Sequence, residues 1–141
     1  MVRMPWKRLA WFALALFAVI QLVPYGHDRT NPPVAAEPAW DSPATRALAQ
    51  RACFDCHSHE TVWPAYARVA PVSWLIASDV NEGREKLNFS AWKAPSDPKV
   101  VPKEVRDGEM PPWYYTLMHG TAKLSDAERT ALADGLAATI K

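Results

Sequence analysis

The chain has few cysteines, no strand-like patterning and no repeats. It contains two cysteines, and no second Cys/His pair has a spacing that would complete a structural zinc site, which normally needs four ligands. No stretch alternates regularly between apolar and polar residues, and no internal repeat is present. The sequence therefore predicts an all-α fold rather than a β-rich or repeat architecture.

The chain also lacks an excess of charge of either sign. Its 16 basic and 15 acidic residues leave a formal net charge of +1. Without the three basic residues of the first eight positions, 13 basic residues face 15 acidic ones, a net charge of −2. No basic stripe is present, so nucleic acid is not an expected partner.

The first 23 residues have the features of a secretory signal or a membrane anchor. Three basic residues, Arg3, Lys7 and Arg8, precede an apolar run that ends at Val23. No small-x-small cleavage site follows the run directly, so we predict that residues 1–23 stay attached as one transmembrane helix, with downstream cleavage as the alternative. The positive-inside rule then places the rest of the chain on the outer, periplasmic side of a bacterial inner membrane.

A proline-rich linker, residues 24–43, is predicted to separate this anchor from a domain over residues 44–141. Prolines at five positions of the linker break helices and favour extended polyproline conformation. The linker is either an extended tether or a stretch packed on the domain, and the sequence leaves both arrangements open.

Helix signals recur through the domain. Ser42–Pro43 is a good N-cap and first-turn pair, Gly108 is a helix-ending glycine, and Ser125–Glu128 is a capping box. Gly83 weakens a helix by about 1 kcal/mol relative to alanine, so a helix containing it would kink or end there. The predicted helices run from Pro43 into Ala52, from Val72 towards Leu87, from Pro98 to Asp107, and from Ser125 to Ile140.

Both cysteines belong to one motif, Cys53-Phe54-Asp55-Cys56-His57, which has the C-x-x-C-H pattern of haem c attachment. On a helical turn, residues at i, i+3 and i+4 share one face. Two thiols on that face can add to the two vinyl groups of one porphyrin, and the histidine can give an imidazole nitrogen to the iron. The motif predicts one covalent haem with His57 as an axial ligand, and one-electron transfer as its simplest chemistry.

The cysteine pair could also belong to a thioredoxin-like redox motif or to a zinc site. A thioredoxin-like redox motif sits at the start of a helix that follows a strand, whereas the segment before Cys53 is predicted to be helical. A zinc site would need further ligands at a suitable spacing. The histidine that ends the motif favours haem c over both.

The sixth iron ligand determines what a haem iron can do. His59 is too close to His57 in sequence to reach the opposite face of the ring. The remaining candidates are Met110, Met118 and His119. Met110 precedes two prolines that hold the loop backbone rigid, and His/Met ligation recurs in electron-carrying c cytochromes. We predict Met110 as the second axial ligand, with His119 or an open coordination site as alternatives.

Several sequence blocks follow one another in a characteristic order. They are CFDCHS (53–58), APVSWL (70–75), DVNEGR (79–84), LNFSAW (87–92), GEMPPWYY (108–115) and LSDAE (124–128). Together they resemble the haem-binding domain family, small membrane-anchored single-haem c-type proteins of bacteria. The resemblance covers residues 52–136. It implies a small cytochrome c-like helical domain around one haem attached to Cys53 and Cys56, with His57 and Met110 on the iron.

The leading functional prediction is a membrane-tethered electron carrier, not an enzyme, that exchanges single electrons with a redox partner of a respiratory or periplasmic chain. His/Met ligation would close both axial positions and raise the reduction potential relative to bis-His ligation. The alternative is a haem-based peroxidase or a gas or redox sensor with a labile sixth ligand. A thiol–disulfide oxidoreductase is the third possibility, and it fails if both thiols carry haem.

Overall fold

The structure is a computed structural model that describes residues 5–141, and the regular elements of this range are helices. The α-helices are α1 (Trp6–Ile20), α2 (Pro43–Ala52), α3 (Phe54–His57), α4 (Val72–Lys86), α5 (Val100–Asp107), α6 (Trp113–Met118) and α7 (Asp126–Thr139). Two 3-10 turns cover Ala65–Arg68 and Gly120–Ala122. The predicted all-α class is confirmed for the described residues.

The described chain divides into two compact units. One unit contains the chain up to Thr30 together with Trp63–Asp79, and the other contains Asn31–Val62 together with Val80–Lys141. Helix α4 contributes residues to both. The Cys-x-x-Cys-His motif lies in the second unit.

Helix α1 is shorter than the sequence predicts. It has 15 residues, because the chain turns at Gln21 and Leu22. At about 1.5 Å per residue it is about 22 Å long, against roughly 30 Å for a bilayer's hydrocarbon core. Across residues 5–141 no helix combines the length and the apolar character that crossing a membrane requires. The transmembrane helix predicted over residues 1–23 is not found among the described residues, and Arg3 of the predicted basic cluster lies outside them.

The single polar residue of the N-terminal apolar run has a structural role in the first unit. The side-chain amide of Gln21 donates to the carbonyl of Ala70 at 3.1 Å and accepts from the amide of Ala70 at 2.9 Å. Arg29 donates to the carbonyl of Ala67 at 3.1 Å. These bonds satisfy backbone groups around the 3-10 turn at Ala65–Arg68, which would otherwise lack partners.

The core of the second unit is built on aromatic rings that pack beside the motif. Phe54 and Phe89 are buried, and their ring centroids are 5.6 Å apart in a stacked arrangement. Trp40 packs on Phe89 at 5.1 Å, and Trp92 stacks on it at 6.1 Å. Offset ring pairs at such distances add to the burial of large apolar surfaces. Because Phe54 belongs to the motif, this cluster anchors α3 in the core.

Helices α2 and α7 pack closely because one of them carries a glycine at the contact. A Cβ added at Gly135 would lie 2.1 Å from Oγ1 of Thr45. The predicted cap at each helix start is confirmed: Ser42 accepts from the amide of Thr45, and Ser125 and Glu128 form a reciprocal capping box. Leu132 and Leu136 of α7 are fully buried beneath α2 and α5.

The second half of the proline-rich segment packs against the second unit. The amide of Ala35 donates to the carbonyl of Ser90 at 2.8 Å, and the amide of Trp92 donates to the carbonyl of Ala36 at 3.0 Å. Ala36 and Ala91 thereby form an isolated parallel bridge. The segment keeps its extended backbone, but its polar groups are satisfied by the domain.

Two predicted helices differ from their expected bounds. Helix α4 continues through Gly83 and ends at Lys86, so it does not end at Gly83. Helix α5 begins at Val100 rather than Pro98. Its end is as predicted, because Gly108 adopts the left-handed conformation at φ 82° and closes the helix.

Candidate functional site

The Cys-x-x-Cys-His motif forms one tight helical turn. Cys53 ends α2 and caps α3. Its carbonyl accepts from the amide of Cys56 at 3.2 Å and from the amide of His57 at 2.9 Å. This places Cys53, Cys56 and His57 at the i, i+3 and i+4 positions of one face, as the sequence predicts.

His57 is held in a defined orientation by two backbone carbonyls of the second unit. Its Nδ1 lies 3.0 Å from the carbonyl oxygen of Gly83 and 3.1 Å from that of Leu87. Since carbonyls only accept, we assign the proton to Nδ1, which leaves the lone pair on Nε2 for a metal. Such second-shell bonds orient a ligating histidine and raise its basicity. Burial lowers the pKa of His57, so the ring is neutral and Nε2 can coordinate.

Gly83 makes this arrangement possible. A Cβ added there would lie 2.5 Å from the carbonyl oxygen of Cys56 and 3.2 Å from its Cβ. Only a residue without a side chain lets α4 approach the motif closely enough for its carbonyl to meet His57. The glycine that weakens the helix in isolation therefore sets the distance between α4 and the motif.

The environment of Cys53 does not favour a reactive thiolate. Both cysteines of the motif are free thiols. Burial raises the pKa of the Cys53 thiol to about 12, whereas reactive thiols have a lowered pKa in an electropositive setting. Within residues 5–141 no group of three or more His, Cys, Asp and Glu side chains is arranged to hold a metal ion.

His59 is tied to the protein through both ring nitrogens. Its Nδ1 lies 2.9 Å from the carbonyl oxygen of Pro33, to which it donates, and its Nε2 lies 2.9 Å from Nδ2 of Asn88, from which it accepts. Asn88 in turn accepts from the amide of Ser90. His59 therefore anchors the segment after the motif, and neither nitrogen is left to bind iron or to move protons.

The three candidates for the sixth ligand lie in residues 110–119 of the second unit, between the end of α5 and the 3-10 turn at Gly120–Ala122. Met110 follows α5, its amide donates to the carbonyl of Glu104 at 3.2 Å, and its side chain is 36% exposed. Met118 ends α6 and is 63% exposed. His119 caps α6, with Nδ1 3.1 Å from the carbonyl oxygen of Tyr115 and its ring stacked on the Tyr115 ring at 4.2 Å.

Sequence reasoning missed the residues that support the motif. Nothing in the sequence predicts that the backbone carbonyls of Gly83 and Leu87 contact His57. Only the presence of a glycine at position 83 is visible there. Asp55 accepts from the Tyr115 hydroxyl at 2.7 Å, a pairing across 60 positions that spacing does not reveal. The sequence offered one hint of this pairing: Asp55 is a polar residue inside the motif, and Tyr115 lies between the candidate ligands.

Comparison with known proteins identifies a haem-binding family. A family model described as "Haem-binding domain" matches residues 15–138. The chain is also 29% identical over 94 residues to the cytochrome c peroxidase Ccp of Escherichia coli (strain K12). That alignment covers 60% of this chain and 20% of the relative, so the chain spans about a fifth of the peroxidase's length. No solved structure matches.

We predict that Gly83→Ala destabilises the protein even though alanine favours the helix by about 1 kcal/mol. The added Cβ must push α4 away from Cys56, which strains the packing and lengthens the bonds to His57. Overpacking of this kind costs typically 1–3 kcal/mol. Urea unfolding should give a lower midpoint for this variant than for Asn81→Ala, an exposed change in the same helix. Equal midpoints would show that α4 does not need the glycine.

Proposed function

Because this chain belongs to the haem-binding domain family, we propose that it is a c-type cytochrome whose single haem is attached through Cys53 and Cys56 and transfers one electron at a time. The observation that carries the proposal is the environment of His57. The imidazole of His57 has Nδ1 held by two carbonyls, which leaves Nε2 for a metal, and His57 shares one helical turn with both cysteines. That is the donor set a covalent haem requires.

The residues of the motif have separate roles in this proposal. The Cys53 and Cys56 thiols add across the two vinyl groups of the porphyrin, so each sulfur becomes a thioether. His57 coordinates the iron, and its carbonyl partners keep the ring from rotating. Haem supplies an iron that exists as Fe(II) or Fe(III). The surrounding protein is rigid because the aromatic cluster at Phe54 and Phe89 holds α3 in the core.

Met110 is proposed as the second axial ligand. Two prolines follow it, and its backbone is pinned to the end of α5 through the carbonyl of Glu104. A thioether on a pinned loop suits electron transfer, since both axial positions stay closed and little reorganises when the iron changes charge. A soft sulfur donor also favours Fe(II) and raises the reduction potential. His119 is the competing candidate for this position.

We further propose that α1 holds the domain at the outer, periplasmic face of a bacterial inner membrane. Trp6, Trp11 and Phe12 are 74%, 71% and 68% exposed, and α1 carries Lys7 and Arg8 near its start. Exposed tryptophans beside basic residues suit the boundary between lipid and water. The partner in this setting is a redox protein of a respiratory or periplasmic chain.

A second candidate function, peroxide reduction, is favoured by the similarity to cytochrome c peroxidase. It would need an open or labile sixth position and a nearby acid–base group. His59 does not meet that need, since both of its ring nitrogens are engaged. We therefore place this function second.

We predict that the haem is covalent. After expression with a cytochrome c maturation system, acid–acetone extraction should leave the pigment on the polypeptide, and the pyridine haemochrome should report two saturated vinyl groups. Cys53→Ala should leave one saturated vinyl and lower the yield of holoprotein. Pigment that extracts fully from the unmutated protein would overturn the proposed attachment.

We predict that Met110→Ala opens a coordination site. The long-wavelength band of the thioether–ferric bond should disappear, and carbon monoxide should bind the ferrous variant rapidly while the unmutated protein resists it. Met118→Ala is the matched control, because it removes a more exposed thioether from the same segment. Rapid carbon monoxide binding by the unmutated protein, or loss of the native ligand spectrum only in His119→Ala, would contradict this ligand and favour peroxide or gas chemistry.

We predict that the protein sediments with the inner membrane and resists a salt wash, since apolar contacts of α1 are not screened by salt. Phe12→Asp places a charge on an exposed position of the helix and should release a measurable share of folded, haem-bearing protein. Thr130→Asp, an exposed change on α7, should leave the distribution unchanged. A freely soluble periplasmic form of the unmutated protein would contradict the proposed attachment.

A further inference from the structure

Asp55, inside the motif, has a carboxylate whose two oxygens are both engaged. Oδ1 accepts from the amide of Val62 at 2.9 Å, and Oδ2 accepts from the hydroxyl of Tyr115 at 2.7 Å. The carbonyl of Asp55 also accepts from Oγ1 of Thr61 at 2.7 Å. The loop after the motif therefore fixes the direction of the carboxylate, so Oδ2 is a preset acceptor for a donor from another segment.

Tyr115 belongs to α6, a six-residue helix that is poorly buried. Trp113 is 76% exposed and Leu117 is 73% exposed. Among the described helices, α6 packs on the 3-10 turn at Gly120–Ala122 that directly follows it. So short a helix is marginal without tertiary support. The bond from Tyr115 to Asp55 ties this short helix to the motif.

The same tyrosine also organises the residues around it. Its ring stacks on His119 with an interplanar angle of 19°, and its carbonyl accepts from the amide of His119 at 2.9 Å. Met110 lies five positions before it. Both leading candidates for the sixth ligand are thus within five residues of Tyr115. The Tyr115 hydroxyl donates to Asp55 at 2.7 Å, and hydrogen bonds to charged groups are stronger than neutral ones.

We propose that Tyr115 is a positioning residue for the sixth iron ligand. Its hydrogen bond to Asp55 fixes the segment Met110–His119 relative to the turn that attaches the haem, and thereby sets how firmly the sixth ligand is held. The inference rests on the proposed haem function. It assigns to Asp55 a role as the anchor on the motif side, and neither residue itself binds iron.

The test uses Tyr115→Phe in the full-length holoprotein. Phenylalanine keeps the ring that stacks on His119 and removes only the hydroxyl. Loss of a bond to a charged acceptor should raise the population with an open sixth position by about tenfold or more. Carbon monoxide should accordingly bind the ferrous variant at least about tenfold faster than the unmutated protein, and the ligand band should weaken. The reduction potential should fall as the sulfur bond is lost.

Tyr114→Phe is the matched control, because it removes a neighbouring hydroxyl that does not bond to Asp55 in this structure. It should leave the carbon monoxide rate unchanged. Asp55→Ala should reproduce the effect of Tyr115→Phe, and the double variant should be no faster than Asp55→Ala alone, since the two residues act through one bond. Hydrogen exchange of the amides of α6 should speed up in Tyr115→Phe but not in Tyr114→Phe.

The outcomes separate this inference from the function on which it rests. Absence of covalent haem in the unmutated protein would overturn the proposed function. Covalent haem with an unchanged carbon monoxide rate and ligand band in Tyr115→Phe would overturn the positioning role alone. Additive effects of Tyr115→Phe and Asp55→Ala would also overturn it, because independent contributions cannot come from a single shared bond.

Discussion

The close contact between α4 and the cysteine motif is the constraint on which the site depends. Backbone meets backbone there, since Gly83 has no side chain to hold the helix away from Cys56. That proximity lets two carbonyls reach Nδ1 of His57. A side chain at position 83 would exclude the contact, and His57 would lose the partners that fix its tautomer and direction. The chemistry proposed for the motif therefore begins with a packing distance between two helices.

Hydrogen bonds also fix the segment that follows the motif, residues 58–61. Arg84 donates to the carbonyl of Ser58 at 2.8 Å and to Oγ1 of Thr61 at 3.0 Å. The amide of Phe89 donates to the carbonyl of His57 at 2.8 Å, and His59 spans two further segments. These bonds satisfy buried backbone groups, which are costly to leave unpaired. They also fix the backbone of the motif relative to α4 and to the segment at Phe89.

Burial is unevenly distributed in the second unit. The motif side rests on the aromatic core and on buried α7, whereas the side that carries Met110 and His119 rests on a loop and a short, exposed helix. The Tyr115–Asp55 bond connects the two. A firmly held sixth ligand suits electron transfer, and a loosely held one suits peroxide or gas chemistry. Under the proposed function, the Tyr115–Asp55 bond would therefore influence which of these two chemistries the iron supports.

Local signals in the sequence determined much of this protein. The motif predicted the helical turn that joins Cys53, Cys56 and His57, and capping patterns predicted α2, α7 and the end of α5 because caps depend on neighbours along the chain. The length of α1 was mispredicted, since hydropathy does not show that Gln21 leaves the helix to bond with Ala70. The role of Gly83 was also missed: propensity marks it as a weak helix residue, and only the tertiary structure shows that the helix continues because Cys56 needs the space. Only the tertiary structure decided that Tyr115 pairs with Asp55, because residues 60 positions apart form no local pattern in the sequence.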